Sequence, residues 1–152
     1  MCTSNYFTIV DLIKSTTAKR LRIDNHPSDG VREELELTVC KVNLISLIAH
    51  AYGATIRVTS GYRCKRLNKA LGGVNNSLHM QGRAVDFVVL DTKIKHELHD
   101  APFIVSDAEI KHKLHDALKE EACIKLLGIC ELIEYTNFIH VGFLRSSLEV
   151  KK

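Results

Sequence analysis

The sequence lacks the features that would assign it to a membrane, secreted or nucleic-acid-binding class. Its 152 residues hold no apolar run near the roughly 18 residues that a membrane span needs. The N-terminal stretch from Met1 to Asn5 has no basic segment followed by an apolar one, so we expect synthesis in the cytoplasm without a signal peptide. The formal net charge is only +3, which does not indicate a nucleic-acid partner.

The chain also has no C-x-x-C pair and no long linker, which favours a single domain with reduced thiols. Five cysteines are scattered along the chain without a C-x-x-C pair, at positions Cys2, Cys40, Cys64, Cys123 and Cys130. An odd, scattered set does not suit a disulfide framework, so we expect reduced thiols. The length of 152 residues suits one domain, and we expect residues 1–152 to form a single domain and a monomer.

The chain does contain a clear series of helical and strand patterns. Apolar residues at steps of three and four predict a long helix that begins after Ser28 and ends at Gly53. The other predicted elements are helices at 7–13, 66–71 and 91–127, strands at 55–59 and 83–90, and a hairpin of 129–133 with 138–143. The hairpin loop is predicted at 135–137. This order predicts an α+β domain with a small, mainly antiparallel sheet.

The stretch from Ser77 to Asp86 places His79 and Asp86 seven residues apart around Gly82. Asp86 lies inside an otherwise apolar predicted strand, where a carboxylate is costly unless it is paired or bound to a metal. An aspartate that bonds backbone amides near a strand end, or that faces water, explains the pattern equally well from spacing alone. Both interpretations of Asp86 therefore stay open at this point.

A third candidate ligand, His140, lies in the string F-I-H-V on another predicted strand. Taken alone, this histidine suits a core position. Two histidines and one aspartate together form a three-ligand zinc set that leaves a fourth position for water. That open arrangement distinguishes catalytic zinc sites from closed structural ones, so the set indicates metal-assisted hydrolysis.

Four further histidines form two H-x-x-H pairs, His96 with His99 and His112 with His115. Each pair puts two imidazoles on one helix face, a geometry that can bind metal. Lys and Asp residues surround both pairs and no third ligand is predictable nearby, so we interpret them as a solvated face. A metal-storage or metal-sensing protein built on these pairs is an alternative, and it predicts more than one metal ion per chain.

These motifs resemble the zinc D-alanyl-D-alanine carboxypeptidase family, which includes phage endolysins and D-Ala-D-Ala dipeptidases. Three strings carry the resemblance in the expected order: S-G-Y-R at 60–63, S-x-H-x-x-G-x-A-x-D at 77–86 and F-I-H-V at 138–141. The string L-N-K-A at 67–70 extends it. The resemblance covers about residues 6–143, which we expect to be the core of the domain.

The resemblance implies one zinc ion per chain, held by His79, Asp86 and His140. It implies that a zinc-activated water hydrolyses peptide bonds of peptidoglycan stem peptides or cross-links next to D-alanine. It also implies that Arg63 binds substrate and stabilises the oxyanion, and that Ser77 hydrogen-bonds the substrate. A surface arginine after a turn and a cap or loop serine are the alternatives for these two. Action on the cell wall would then need phage lysis or another export route.

The general base is the point at which the chain departs from the family pattern. Several family members carry Glu or Asp three residues before the last histidine ligand, and that position here is Asn137, which cannot take a proton. We favour Glu134, six residues before His140, over Glu131, which strand alternation places on the opposite face unless a bulge intervenes. A base from elsewhere, or none, also remains open. Asn137 keeps an alternative function open: a catalytically silent cell-wall-binding or phage structural module that retains the zinc site.

Overall fold

The computed structural model describes residues 7–91 and 108–145. In chain order its elements are helices α1 (Ile9–Ile13), α2 (Thr16–Leu21) and α3 (Asp29–Ala51), strand β1 (Ala54–Ser60), helix α4 (Lys65–Ala70), a 3₁₀ helix (Leu78–Gln81), strand β2 (Ala84–Asp91), helices α5 (Ala108–Lys119) and α6 (Glu121–Leu127), and strands β3 (Ile129–Glu134) and β4 (Ile139–Phe143). The part of the predicted 91–127 helix that falls at 92–107, with the pair His96 and His99, lies outside these ranges. Within them, no helix is long and apolar enough to cross a membrane.

The described strands form a four-stranded antiparallel sheet in the order β1-β2-β4-β3. The last strand in the chain, β4, therefore lies inside the sheet between β2 and β3. This pairing places His140 on β4 directly opposite Asp86 on β2. The predicted α+β class, with a small antiparallel sheet and helices, is confirmed.

The core lies between helices and one face of the sheet. Val85 and Phe87 on β2 are fully buried there, together with Leu35 of α3 and Leu114 of α5. Burial of each such side chain stabilises the fold by roughly 1.5–3 kcal/mol. Because side chains alternate along a strand, Asp86 points to the face opposite Val85 and Phe87. The pleat of β2 thus places the carboxylate outside the apolar core.

The long helix α3 follows its prediction closely. Ser28 is its N-cap in extended conformation, and Tyr52 closes it one residue before Gly53. Gly53 has a φ of +72°, a left-handed conformation that glycine adopts without the steric cost of a Cβ. Further along the chain, the predicted continuous helix is interrupted at Glu120, which separates α5 from α6.

The turn after β1 is tied to the N-terminal helices. The backbone N–H of Tyr62 donates to the carbonyl of Leu12 at 2.7 Å, and the Asn25 amide donates to the carbonyls of Ile13 and Tyr62. Gly61 lies so close to the backbone of Leu12 that a Cβ at this position would overlap it. These contacts hold the segment that carries the S-G-Y-R motif.

The β3–β4 hairpin differs from its prediction by one residue. The connection runs over four residues, 135–138, instead of three. Glu134 therefore pairs with Ile139, and Ile133 pairs with His140. Since side chains alternate with a period of two, one extra loop residue exchanges the two faces of β3 relative to β4. This register decides which glutamate of β3 lies beside His140.

Candidate active site

His79 lies in the 3₁₀ helix just before β2 and is almost fully buried. Gly82, with a φ of +70°, ends this helix and turns the chain into β2. The ring Nδ1 of His79 lies 2.7 Å from the carbonyl oxygen of Gly61. A carbonyl oxygen only accepts hydrogen bonds, so Nδ1 carries the proton in this pair. The other ring nitrogen, Nε2, faces Asp86 and is the atom of His79 that could bind a metal ion.

Asp86 lies at the centre of the site with only 8% of its surface exposed. Its Oδ1 lies 2.7 Å from Nδ1 of His140 and 3.3 Å from Nε2 of His79. Burial acts to raise the pKa of the carboxyl group, but the hydrogen bonds and charges of His140 and His79 outweigh burial and hold this pKa well below its ordinary value. Asp86 is therefore an anion at neutral pH.

His140 presents its two ring nitrogens to two carboxylates. Nδ1 faces Asp86, and Nε2 lies 3.0 Å from Oε2 of Glu131. Burial acts to lower the pKa of His140, but its hydrogen bonds to the carboxylates of Asp86 and Glu131, and their negative charges, outweigh burial and raise the pKa above its ordinary value. The His140 ring centroid is 5.2 Å from that of His79, so both imidazoles border the same carboxylate.

The three side chains fit a zinc ion in both chemistry and spacing. His79, Asp86 and His140 each offer one ligand atom, and these atoms lie within 4.8 Å of one another. Two imidazole nitrogens and one carboxylate oxygen are a donor set of open zinc sites. A metal ion would replace the proton between Asp86 and His140. The structure thus brings together the three ligands that the sequence predicts.

Arg63 and Ser77 both have defined partners at this site. The guanidinium of Arg63 donates through Nε to Oγ of Ser60 and through a terminal nitrogen to Oδ2 of Asp86, each at 2.8 Å. Arg63 therefore holds Asp86 directly, in addition to its expected contact with substrate. The hydroxyl of Ser77 accepts the backbone N–H of His79 at 3.3 Å and caps the 3₁₀ helix. This is the cap role that the sequence left as the alternative for Ser77.

The two glutamates of β3 lie on opposite faces of the sheet. Glu131 pairs with Gly142 and lies on the face of His140, within hydrogen-bonding distance of its ring. Glu134 lies instead against α5, with Oε2 3.0 Å from Nδ1 of His112. The structure does not bring Glu134 to the candidate active site, which corrects the prediction that favoured it as the general base. The cause is the hairpin register, since the four-residue loop puts Glu131 and Ile133 on the His140 face.

Comparison with protein families gives the class of protein to which this fold and candidate site belong. The family model described as Peptidase M15 matches residues 5–103, about two thirds of the chain. The chain belongs to the peptidase M15 family, the zinc D-Ala-D-Ala carboxypeptidase-like family, and is a hydrolase that acts on a peptide substrate. The matched segment includes Arg63, His79 and Asp86 and ends before His140. No curated protein matches the chain.

Proposed function

We propose that the chain is a zinc-dependent peptidase that hydrolyses peptide bonds of peptidoglycan stem peptides or cross-links next to D-alanine. The observation that carries this proposal is the convergence of donor atoms from His79, Asp86 and His140 within 4.8 Å. Membership of the peptidase M15 family supports peptide hydrolysis, and the S-G-Y-R and S-x-H-x-x-G-x-A-x-D motifs support a D-alanine-containing substrate. Residues 1–152 act as one domain in this proposal.

Zinc would be held by Nε2 of His79, Oδ1 of Asp86 and Nδ1 of His140, the atoms that face one another. When bound there, zinc polarises the scissile carbonyl and lowers the pKa of a water molecule, so that attack proceeds at neutral pH. Asn137 lies exposed on the loop before β4 and takes no proton, because an amide has no ionisable group in this range.

Glu131 acts on the reaction through His140 and not as the base. Its carboxylate accepts from Nε2–H at 3.0 Å, which leaves Nδ1 of the same ring directed at Asp86. In the same way, the carbonyl oxygen of Gly61 accepts from Nδ1–H of His79 and leaves Nε2 of that ring directed at Asp86. Such outer partners fix the tautomer and the orientation of histidine ligands. Glu131 is therefore a positioning residue for the third ligand.

Arg63 binds the substrate and stabilises the negative charge that develops on its carbonyl oxygen. The side chain is 17% exposed, so part of the guanidinium is accessible while its bonds to Ser60 and Asp86 fix its plane. A preorganised donor of this kind loses little orientational freedom when it meets the transition state. The planar fork also suits an oxyanion better than the point charge of a lysine does.

A cavity of about 530 Å³ next to Arg63 supports a peptide substrate with a free carboxylate. Its charged lining residues are Lys14, Arg57, Arg63 and Asp11. Because Lys14 pairs with Asp11 and Arg63 pairs with Asp86, the excess of positive charge comes from Arg57. This excess of positive charge favours a negatively charged group such as the terminal carboxylate of D-alanine. Peptides with a free and with an amidated C-terminus should therefore differ in KM.

Mass spectrometry of muropeptides released by the purified, zinc-loaded protein tests this function. We expect products that differ from the untreated cell wall by hydrolysis of a bond next to D-alanine, and we expect none from His140→Ala. Glu134→Gln is the matched control and should release the same products as wild type, because Glu134 lies on the other face of β3. Binding to cell wall without any product from folded, zinc-loaded wild type would favour the catalytically silent module instead.

A further inference from the structure

A second group of three potential ligands lies between α5 and β3. His112 and His115 project from α5, and Glu134 ends β3. Oε2 of Glu134 lies 3.0 Å from Nδ1 of His112 and 3.3 Å from Nδ1 of His115. One ligand atom from each residue lies within 4.8 Å of the other two, as in the candidate active site.

His115 is the residue that most needs a partner in this group. The sequence-based interpretation of the H-x-x-H pair as a solvated face holds for His112, but it is wrong for His115, whose side chain is only 7% exposed. The buried Nδ1 of His115 forms no hydrogen bond with any residue of the described ranges, although it faces Glu134. A buried polar atom without a partner costs roughly 1–3 kcal/mol. A metal ion at this position would satisfy it.

Neighbouring side chains orient the carboxylate and the imidazoles of this group so that their ligand atoms face one another. Lys111 is buried, donates to the carbonyls of Tyr135 and Thr136, and lies 3.5 Å from Oε1 of Glu134. That contact leaves Oε2 of Glu134 facing the two imidazoles. On the opposite side of the His112 ring, a carboxylate oxygen of Asp116 lies 3.4 Å from Nε2. A carboxylate behind a histidine ring is the usual outer partner of a metal-bound imidazole.

This group is separate from the candidate active site. Glu134 pairs with Ile139, whereas His140 pairs with Ile133, so Glu134 and His140 point to opposite faces of the sheet. No residue is shared between the two groups. A metal ion bound at one group therefore has a different ligand set from a metal ion bound at the other.

We propose that His112, His115 and Glu134 form a second metal site, which takes a divalent transition-metal ion such as Zn²⁺. Two imidazole nitrogens and one carboxylate oxygen suit zinc, and imidazole ligands also suit copper and nickel. The ion links α5 to the end of β3, and it gives the buried Nδ1 of His115 a bonding partner. The site requires no peptidase activity, so it stands or falls independently of the proposed function.

Metal counting on the untagged, metal-stripped chain tests the proposal. Zn²⁺ is added in slight excess, free metal is removed by gel filtration, and zinc per chain is measured by plasma mass spectrometry. We expect about two zinc ions per wild-type chain, one for each three-ligand group. His112→Ala with His115→Ala should leave about one, and so should His79→Ala with His140→Ala. The matched control is His96→Ala with His99→Ala, which removes the same H-x-x-H spacing and should keep both ions.

Two results would overturn the second site: no loss of zinc in the His112 and His115 variant, or a loss of zinc in the His96 and His99 control. A single zinc ion in the wild type that the His112 and His115 variant loses would support the second site and contradict zinc at the candidate active site. If the double variant does not fold by circular dichroism, Glu134→Gln provides the same readout. Gln keeps the shape of Glu134 but removes the anionic ligand, so the zinc count should still fall by one. An unchanged count in folded Glu134→Gln would also contradict the proposal.

Discussion

Gly142 lies opposite Glu131 in the β3–β4 pair, and the absence of a side chain there makes room for the glutamate. A Cβ at residue 142 would come within 3.0 Å of both Cβ and Oε2 of Glu131 and within 2.6 Å of Cδ1 of Leu78. Glu131 crosses this open position to reach the ring of His140. The position of the third predicted ligand therefore depends on a glycine two residues further along its own strand.

Gly142→Ala should destabilise the protein and disturb the site. The added methyl group must displace Leu78 or Glu131, and overpacking of this kind costs about 1–3 kcal/mol. The free energy of unfolding in urea measures this loss. Gly30→Ala is the matched control, because a Cβ at Gly30 meets nothing within 4 Å and alanine favours the first turn of α3. Equal stability of Gly142→Ala and wild type would contradict the close packing.

Glu131→Gln should keep most of the activity, whereas Glu131→Ala should lower both zinc affinity and kcat. Glutamine retains an oxygen that accepts from Nε2–H of His140, and alanine does not. Loss of an outer partner of a metal ligand typically costs about 10–100-fold. A drop of about 100-fold in Glu131→Gln, together with loss of the acidic limb of the pH–rate profile, would instead make Glu131 the general base.

Zinc removal should lower the thermal stability of the domain. Zinc that binds only the folded chain stabilises it by about 2.7 kcal/mol when its free concentration is 100 times Kd. Differential scanning fluorimetry with zinc and with chelator measures the shift in Tm, in the His112→Ala and His115→Ala background so that only the candidate active site contributes. Adding His79→Ala to that background should abolish the shift, and a persistent shift would place the zinc elsewhere.

Arg63→Ala should lower kcat/KM by about 100-fold or more, the scale of losing one oxyanion donor. Zinc should remain bound, since Arg63 contacts Asp86 but is not a ligand. Arg63→Lys keeps the charge without the planar fork, and we expect it to recover only part of the activity. Unchanged turnover of cell wall by Arg63→Ala would rule out the oxyanion role, and loss of zinc would mean that Arg63 acts by holding Asp86.

Metal-free protein should lose stability as the pH rises above about 6.5. The folded-state pKa of His140 is raised above its ordinary 6.5 by Asp86 and Glu131. The stabilisation that this pairing provides is therefore complete below about pH 6.5 and is lost as the pH rises through the folded-state pKa. Tm measured in chelator across this range should fall for wild type and change less for His140→Gln. Parallel profiles for the two proteins would contradict the pairing.

The parts of the fold that follow local patterns were predictable from the sequence. The three- and four-residue steps of α3, its end at Gly53 and the apolar run of β2 each follow from neighbouring residues. An aspartate inside an apolar strand needs a partner, but spacing alone leaves open whether Asp86 is a metal ligand. The resemblance then favours His79, Asp86 and His140 as one set, and the pairing of His140 with Asp86 joins distant parts of the chain.

The parts that depend on register and on packing between elements were not predictable in the same way. One loop residue decides whether Glu131 or Glu134 lies beside His140, and hairpin loops of three and four residues are both common. The sequence feature that favours Glu131 beside His140 is Gly142, a position without a side chain on the same face as His140. The burial of His115 does not follow from the sequence, because periodicity shows which residues share a helix face but not what packs against that face.

The position of β4 inside the sheet sets the order in which the enzyme becomes competent during synthesis. His140 leaves the ribosome 54 residues after Asp86, and its strand must insert between β2 and β3. A nascent or truncated chain that stops before β4 carries two of the three candidate ligands beside an unfilled sheet edge. If the proposed function is right, hydrolysis needs all three, so we expect a partial product to be inert until the C-terminal hairpin has docked.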